Sequence, residues 1–236
     1  MSLFITELTD DAQDFPHPAH ALAEPDGLLA VGGDLSVSRL KQAYQNGIFP
    51  WFDASQPILW WSPSERAIIA PERVHVGRTM RKHIKRQQVA ITVNLDFTQV
   101  IEACAHTQRR GEGTWITPQM VQAYIDLHHA GMAHSIECWH QNQLVGGLYG
   151  VAVGQLFCGE SMFHHQTNAS KLAFIGLCQH FSRHGGQLID CQLDNPHLQT
   201  LGVKDVSRPQ FLKQLAQLKQ QEVTKECWNK QMISVT

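Results

Sequence analysis

The sequence predicts an α+β protein with a small N-terminal α/β domain, residues 1–88, followed by a mixed-sheet domain, residues 89–236. Two observations support this division. Strand and helix patterns follow one another as strand, strand, strand, helix, strand, helix over residues 135–221. The chain also changes character near residues 87–90, where a basic segment gives way to alternating apolar residues. We therefore expect a domain boundary there.

The N-terminal part combines turns, one helix and an aromatic segment. Asp34 or Ser36 can cap a helix that Asn46 and Gly47 would end. Residues 48–61 then contain five aromatic side chains, and prolines break the segment into loops. Such a cluster is typical of a hydrophobic core, but rings held on loops also stack against unpaired bases. Both interpretations remain open at this point.

A basic segment follows, although the net charge of the whole chain is only −2. Its cations are spaced as one stripe of a helix, at Arg78, Arg81, Lys82, Lys85 and Arg86, without an acidic residue among them. A solvated surface would explain this stripe, and so would a surface that binds backbone phosphates.

The C-terminal part has the clearest periodic patterns. We predict a strand at 89–93, helices at 97–107 and 117–130, an antiparallel meander of strands at 135–140, 144–152 and 155–160, a helix opened by Asn168 or Ser170, a strand at 187–192, a short helix at 197–201 and an amphipathic segment at 211–221. The tail at 223–236 has no pattern that we can assign.

Composition narrows the class of protein. Charged residues make up 17% and hydrophobic residues 43% of the chain, as in a compact globular protein. No apolar run approaches the ~18 residues of a membrane span, and the first residues are acidic, so we expect a cytoplasmic protein. The six cysteines form no Cys-x-x-Cys pair, which favours reduced, buried thiols. Because metal-ligand ladders and nucleotide-binding loops are both missing from the sequence, we expect no metal and no cofactor.

Polar residues end two of the predicted strands. Glu160 directly follows Gly159, and Asp190 and Gln192 follow the apolar pair Leu188 and Ile189. Because side chains alternate along a strand, Asp190 and Gln192 should face the same side. A carboxylate and a carboxamide would then point together from one sheet edge.

These segments resemble the leucyl/phenylalanyl-tRNA–protein transferases. The motifs that carry the resemblance are Ile48 to Phe52, Gly113 to Thr117, Phe157 to Phe163 and Asp190 to Gln192, and the likeness runs from about Phe15 to about Leu218. It implies transfer of leucine or phenylalanine, and less readily methionine, from aminoacyl-tRNA to proteins that begin with Arg or Lys, which marks them for the N-degron route. It also implies a monomer without a cofactor.

The second domain is similar to the GCN5-related N-acetyltransferases (GNAT), on whose scaffold this family is built. Those enzymes hold coenzyme A pyrophosphate with a glycine-rich loop at a helix start. Residues 162–167 of this chain occupy that place without such a loop. A coenzyme A-dependent N-acetyltransferase is therefore the disfavoured alternative, and a non-catalytic RNA-binding module is a third.

The resemblance also implies roles for individual residues. Asp190 and Gln192 would handle the proton or position the substrates, and Glu160 would bind the acceptor peptide. Phe157, Met162 and Ile189 would line the pocket for the donor side chain. Trp51 and Trp115 would hold the 3′-adenosine of the tRNA, and the basic stripe from Arg78 to Arg86 would contact its backbone.

Overall fold

A computed structural model describes residues 5–9, 15–86, 89–107 and 115–236. The strands are β1 (Thr6–Leu8), β2 (Leu28–Gly32), β3 (Phe49–Pro50), β4 (Leu59–Trp61), β5 (Glu65–Ile69), β6 (Val89–Val93), β7 (Ala133–His140), β8 (Gln143–Val153), β9 (Leu156–His164), β10 (Leu188–Gln192), β11 (Lys204–Ser207) and β12 (Gln231–Ile233). The helices are α1 (Val37–Gln45), α2 (Arg78–Arg86), α3 (Phe97–His106), α4 (Pro118–His129), α5 (Ala169–Arg183), α6 (Pro196–Gln199) and α7 (Arg208–Leu218). Short 3-10 helices span Pro18–His20 and Pro71–Arg73.

The strands form two sheets. A four-stranded sheet has the order β1-β2-β4-β3, and an eight-stranded sheet has the order β11-β5-β10-β9-β8-β7-β6-β12. In the larger sheet β9 and β10 are parallel and the other neighbours are antiparallel. These elements confirm an α+β protein with a mixed sheet and the predicted β7-β8-β9 meander.

The division of the chain after residue 88 stays a prediction. Residues 87 and 88 lie outside the described residues. Strand β5, on the N-terminal side of that point, pairs with both β10 and β11 in the eight-stranded sheet.

The large sheet separates two hydrophobic clusters. The first contains apolar side chains of α1, α3 and α4, and the second contains those of α5. Neighbouring residues of β10 belong to opposite clusters, since Leu188 packs in the first and Ile189 in the second. The sheet is therefore covered on both faces, and α5 has a nearly continuous buried surface.

Several helix ends have the causes that the sequence predicts. The Ser36 hydroxyl accepts a hydrogen bond from the Arg39 amide at 3.3 Å and so caps α1. The Thr117 hydroxyl does the same for Met120 at 3.2 Å, directly before Pro118 begins α4. The last helix begins at Arg208 rather than near Phe211, because the Gln210 side chain accepts from the Ser207 amide at 3.3 Å and secures an earlier start.

The C-terminal segment is part of the fold. Strand β12 pairs with β6, and Cys227 and Trp228 pack in the second hydrophobic cluster. Among the described residues, none of the helices combines the length and apolar composition that crossing a bilayer requires.

The alternation predicted for β10 is wrong at its end. The parallel pairing of β9 and β10 stops at Asp190 with Cys158, and the register of β10 against β5 shifts between Asp190 and Gln192. Gln192 has a φ of 59°, in the left-handed region. The bulge turns the two side chains into different surroundings, because an extra residue breaks the two-residue period.

Candidate active site

A cavity of about 480 Å³ lies where β9 and β10 part. One wall is apolar and contains Leu148, Met162, Phe174, Leu177, Ile189 and Leu198. Polar residues of the lining include Glu160, Ser170, Gln192 and Asn195. A space of this size with an apolar wall and a few polar groups is typical of a small-molecule site.

Glu160 is the carboxylate that reaches this cavity. Its Oε2 accepts a hydrogen bond from the Tyr124 hydroxyl, and its Oε1 accepts one from the Gln192 side-chain amide, both at 3.0 Å. The Tyr124 hydroxyl also forms a buried hydrogen bond with that of Tyr44. Because Tyr124 has one hydroxyl proton and gives it to Glu160, Tyr44 is the donor in this second bond. A chain of three groups thus ends at the cavity.

Burial raises the pKa of Glu160 to about 7. The hydroxyls of Tyr44 and Tyr124 and the Gln192 side chain act in the opposite direction, and the negative charge of Asp190 adds to the increase. The Glu160 carboxylate is therefore poised to exchange a proton near neutral pH.

Asp190 has a different environment. Its carboxylate is fully buried and forms a salt bridge with the Arg66 guanidinium, whose Nε donates to Oδ1 at 3.2 Å. The Gln192 backbone N–H donates to the same Oδ1 at 2.9 Å. Asp190 does not line the cavity; it holds the bulge that presents Gln192 to it.

Arg66 has no sequence signal for this role. Its guanidinium also donates to the Gly47 carbonyl at 2.7 Å and lies 4.2 Å from the ring centroid of Phe211 and 5.1 Å from that of Phe49. It is 124 positions from Asp190 in the sequence, so no local pattern pairs them. Tyr44 and Tyr124 likewise lie within predicted helices and have no sequence signal for this site.

Two of the three residues predicted for the donor pocket line the cavity. Met162 and Ile189 do, whereas Phe157 does not. Phe157 lies outside this lining: its ring is fully buried against Phe181 and Trp228, with ring centroids 6.2 Å and 5.4 Å away. The C-terminal segment, which the sequence analysis did not assign, supplies part of this packing.

The two predicted tryptophans lie elsewhere, and neither is among the residues that line the cavity. Trp51 is 42% exposed and packs edge-on against Trp61, whose indole N–H donates to the Trp51 carbonyl at 2.7 Å. Trp115 is half-buried against the first hydrophobic cluster. Gly113 and Thr114, which belong to the same motif, lie outside the described residues.

The basic stripe forms helix α2 with the predicted boundaries. Its five cations, Arg78, Arg81, Lys82, Lys85 and Arg86, are all exposed. Within the described ranges none of them forms a salt bridge. Met80 and Ile84 pack against the second hydrophobic cluster instead, so the helix presents a separate cationic face.

Comparisons with known proteins agree on one family. Residues 68–216 match the family model described as leucyl/phenylalanyl-tRNA protein transferase, and residues 33–64 match the model of its N-terminal domain. A transferase of that name from Tolumonas auensis is 52% identical over 235 residues, covering 100% of both chains. The transferase from Aeromonas hydrophila is 53% identical, and the match covers 97% of both chains. That from Psychromonas ingrahamii is also 53% identical, and the match covers 100% of this chain and 99% of the relative.

The chain is therefore an aminoacyltransferase. It belongs to the leucyl/phenylalanyl-tRNA–protein transferase family. Among solved structures, L-PGS from Bacillus licheniformis aligns with 71% of this chain and 53% of its own, at a TM-score of 0.40 and 11% identity, a likeness too weak to support an argument.

Proposed function

We propose that this chain transfers leucine or phenylalanine, and less readily methionine, from aminoacyl-tRNA to the free amino terminus of proteins that begin with Arg or Lys. The product would enter the N-degron route of degradation. The observation that supports this most directly is the cavity of about 480 Å³, whose apolar wall ends at Glu160 and Gln192. A donor side chain and an attacking amine need such a combination of surfaces.

The donor side chain would occupy the apolar wall. Met162 and Ile189 belong to it, and the flexible thioether of a methionine adapts to both branched and planar groups. An apolar pocket separates ligands by only about 1 to 3 kcal/mol per methylene. Tolerance of leucine, phenylalanine and methionine follows from this.

Gln192 and Asp190 would serve the reaction together. The Gln192 side-chain amide donates to Glu160, and its carbonyl oxygen has no partner among the described residues. That oxygen can accept a hydrogen bond from the attacking amine. Asp190 would act through the backbone of Gln192, which it holds at 2.9 Å. Positioning of this kind lowers the barrier to amide formation from an ester.

The tRNA would be bound by surfaces outside the cavity. Trp51 and Trp115 would hold the 3′-adenosine, since stacking on a base contributes about 1 to 3 kcal/mol. The exposed cations of α2 would contact backbone phosphates without reading sequence.

Glu160 would bind the positively charged Arg or Lys side chain at the start of the acceptor peptide. We further propose a GNAT-like scaffold for the second domain, residues 89–236, after a first domain of residues 1–88. A single chain in the cytoplasm would carry out the reaction.

The test is a transfer assay with radiolabelled leucyl-tRNA and a peptide that begins with Arg. The same peptide with an acetylated amino terminus is the control, because it lacks the attacking amine. We expect label in the first peptide alone. Binding of the tRNA without transfer would favour an RNA-binding module, and transfer of acetyl groups from coenzyme A would favour an acetyltransferase; either result contradicts the proposal.

A further inference from the structure

Two carboxylates lie beside the candidate reaction centre, and their surroundings differ. Asp190 is fully buried and its charge is matched by Arg66. One of its oxygens also accepts hydrogen bonds from Arg66 Nε at 3.2 Å and from the Gln192 amide at 2.9 Å. Both oxygens of Asp190 are bound by Arg66, and Oδ1 is also bound by the Gln192 backbone N–H. Asp190 is therefore poorly placed to take a proton from a substrate.

Glu160 has the complementary features. It lines the cavity, and each of its oxygens accepts one hydrogen bond from a neutral group, Tyr124 or Gln192. Within the described part of the chain, no Lys, Arg or His forms a salt bridge with it. Each carboxylate oxygen retains a lone pair for a further hydrogen bond.

We propose that Glu160 accepts the proton that the acceptor α-amine loses as it attacks the aminoacyl ester, and that Asp190 is a positioning residue that acts through Gln192. This inference rests on the proposed function and deepens it. Glu160 would act on the α-amine of the acceptor itself, in addition to binding the charged side chain of the acceptor's first residue.

The proposed step is balanced. The amine nitrogen forms a bond to the ester carbonyl carbon, and the bond between that carbon and the ribose oxygen breaks. The proton lost by nitrogen passes to the Glu160 carboxylate. The departing ribose oxygen then takes up that proton from Glu160, directly or relayed by a water, so the carboxylate is regenerated. No oxidant, reductant or cofactor is required.

The groups that face Glu160 explain why it suits this step. Burial and Asp190 of β10 favour the neutral form, while Tyr44 of α1 and Tyr124 of α4 stabilise the charged form. Further titratable groups nearby are Cys158 of β9, Arg66 of β5 and Tyr149 of β8. The resulting pKa of about 7 lies close to the ~8 of a free α-amine. A base matched in this way transfers protons efficiently near neutral pH.

The experiment is a single-turnover pH profile between about pH 5.5 and 9 with leucyl-tRNA and a peptide that begins with Arg. With the peptide well below saturation, so that the profile reports the free enzyme, the wild-type rate should rise with pH through two inflections, one near 7 from Glu160 and one near 8 from the amine. Glu160→Gln should lose the lower inflection and about 100-fold or more in rate.

Tyr124→Phe is the second variant and keeps the ring. It removes a hydrogen bond that lowers the pKa of Glu160, so the lower inflection should move to higher pH. A purely structural role of Tyr124 would reduce the rate without moving the inflection. Asp190→Asn should reduce the rate and move the lower inflection to lower pH, because the Asp190 charge raises the pKa of Glu160.

Three results would overturn the inference. They are a lower inflection retained in Glu160→Gln, the same inflection unmoved or moved to higher pH in Asp190→Asn, and an inflection unmoved in Tyr124→Phe. Absence of labelled peptide from the wild type at every pH would instead refute the proposed function, so the two failures are distinguishable. Circular dichroism of each variant establishes that it is folded.

Discussion

At the scale of single residues, the site depends on a buried ion pair. Arg66 and Asp190 are almost fully removed from solvent, and the guanidinium also binds the Gly47 carbonyl. Burying two charges is costly, and such a pair stabilises a fold only when both partners are present. The pair connects the loop after α1 with the strand that carries Gln192.

The first prediction concerns this pair. Arg66→Met should lower the free energy of unfolding by about 3 to 5 kcal/mol, because it leaves the Asp190 charge buried without a partner. Arg66→Met combined with Asp190→Leu should recover at least half of that loss. Urea unfolding followed by tryptophan fluorescence measures both. Losses that simply add in the double variant would show that the two side chains are not coupled.

The second prediction separates the cavity from the core. Phe157→Ala should lower the free energy of unfolding by about 3 to 5 kcal/mol and leave the ratio of leucine to phenylalanine transfer unchanged, since its ring is core. Met162→Ala widens the cavity and should shift that ratio toward phenylalanine by about tenfold. Competition between the two labelled aminoacyl-tRNAs measures the ratio. A changed ratio in Phe157→Ala together with an unchanged ratio in Met162→Ala would place Phe157 in the pocket.

At the scale of elements, β10 and α2 illustrate two kinds of segment. Strand β10 stops pairing with β9 at Asp190, and Gln192, which follows the bulge, lines the cavity. Helix α2 keeps its apolar residues, Met80 and Ile84, against the protein and exposes a row of cations. One element is shaped by its neighbours, and the other largely by its own periodicity.

The third prediction belongs to α2. Replacing Arg81 and Lys85 by Gln should weaken tRNA binding and make it less dependent on salt. The slope of log affinity against log salt should fall by about 1 for each phosphate that the helix no longer neutralises. Filter binding over a series of salt concentrations measures this slope. Lys225→Gln is the matched control on an exposed lysine outside the helix; an equal change in the control would argue against a specific surface.

At the scale of the whole molecule, the C-terminal segment completes the second hydrophobic cluster. The Trp228 ring stacks on His134 with centroids 4.2 Å apart, and its carbonyl accepts from the Asn94 side chain at 2.7 Å. Burial lowers the pKa of His134 to about 3, so the folded protein keeps this imidazole neutral.

The fourth prediction follows from that pKa. Between pH 6.5 and about 3 the unfolded chain binds a proton at His134 that the folded protein does not, so stability is full above pH 6.5 and falls as the pH is lowered. From pH 7 to pH 5 the wild type should lose about 2 kcal/mol more than His134→Phe in its free energy of unfolding. Chemical denaturation at the two pH values tests this. Equal losses would mean that His134 takes up its proton in the folded state.

The sequence by itself determined most of the local structure. A cap of α1 by Asp34 or Ser36, the boundaries of α2 and the β7-β8-β9 meander follow from spacing and capping within a few residues. Its motifs also identified the family and brought Glu160, Asp190 and Gln192 to attention. These features depend on short-range preferences of the backbone, which the sequence records directly.

Only the tertiary structure decided which groups surround those residues. Arg66 meets Asp190 because β5 lies beside β10 in the sheet, and Tyr124 meets Glu160 because α4 packs over that face. The bulge at Gln192 and the burial of Phe157 also result from pairing and packing with distant segments. Such contacts depend on the order of the strands and on packing in the core. The periodicity of a single segment does not predict them.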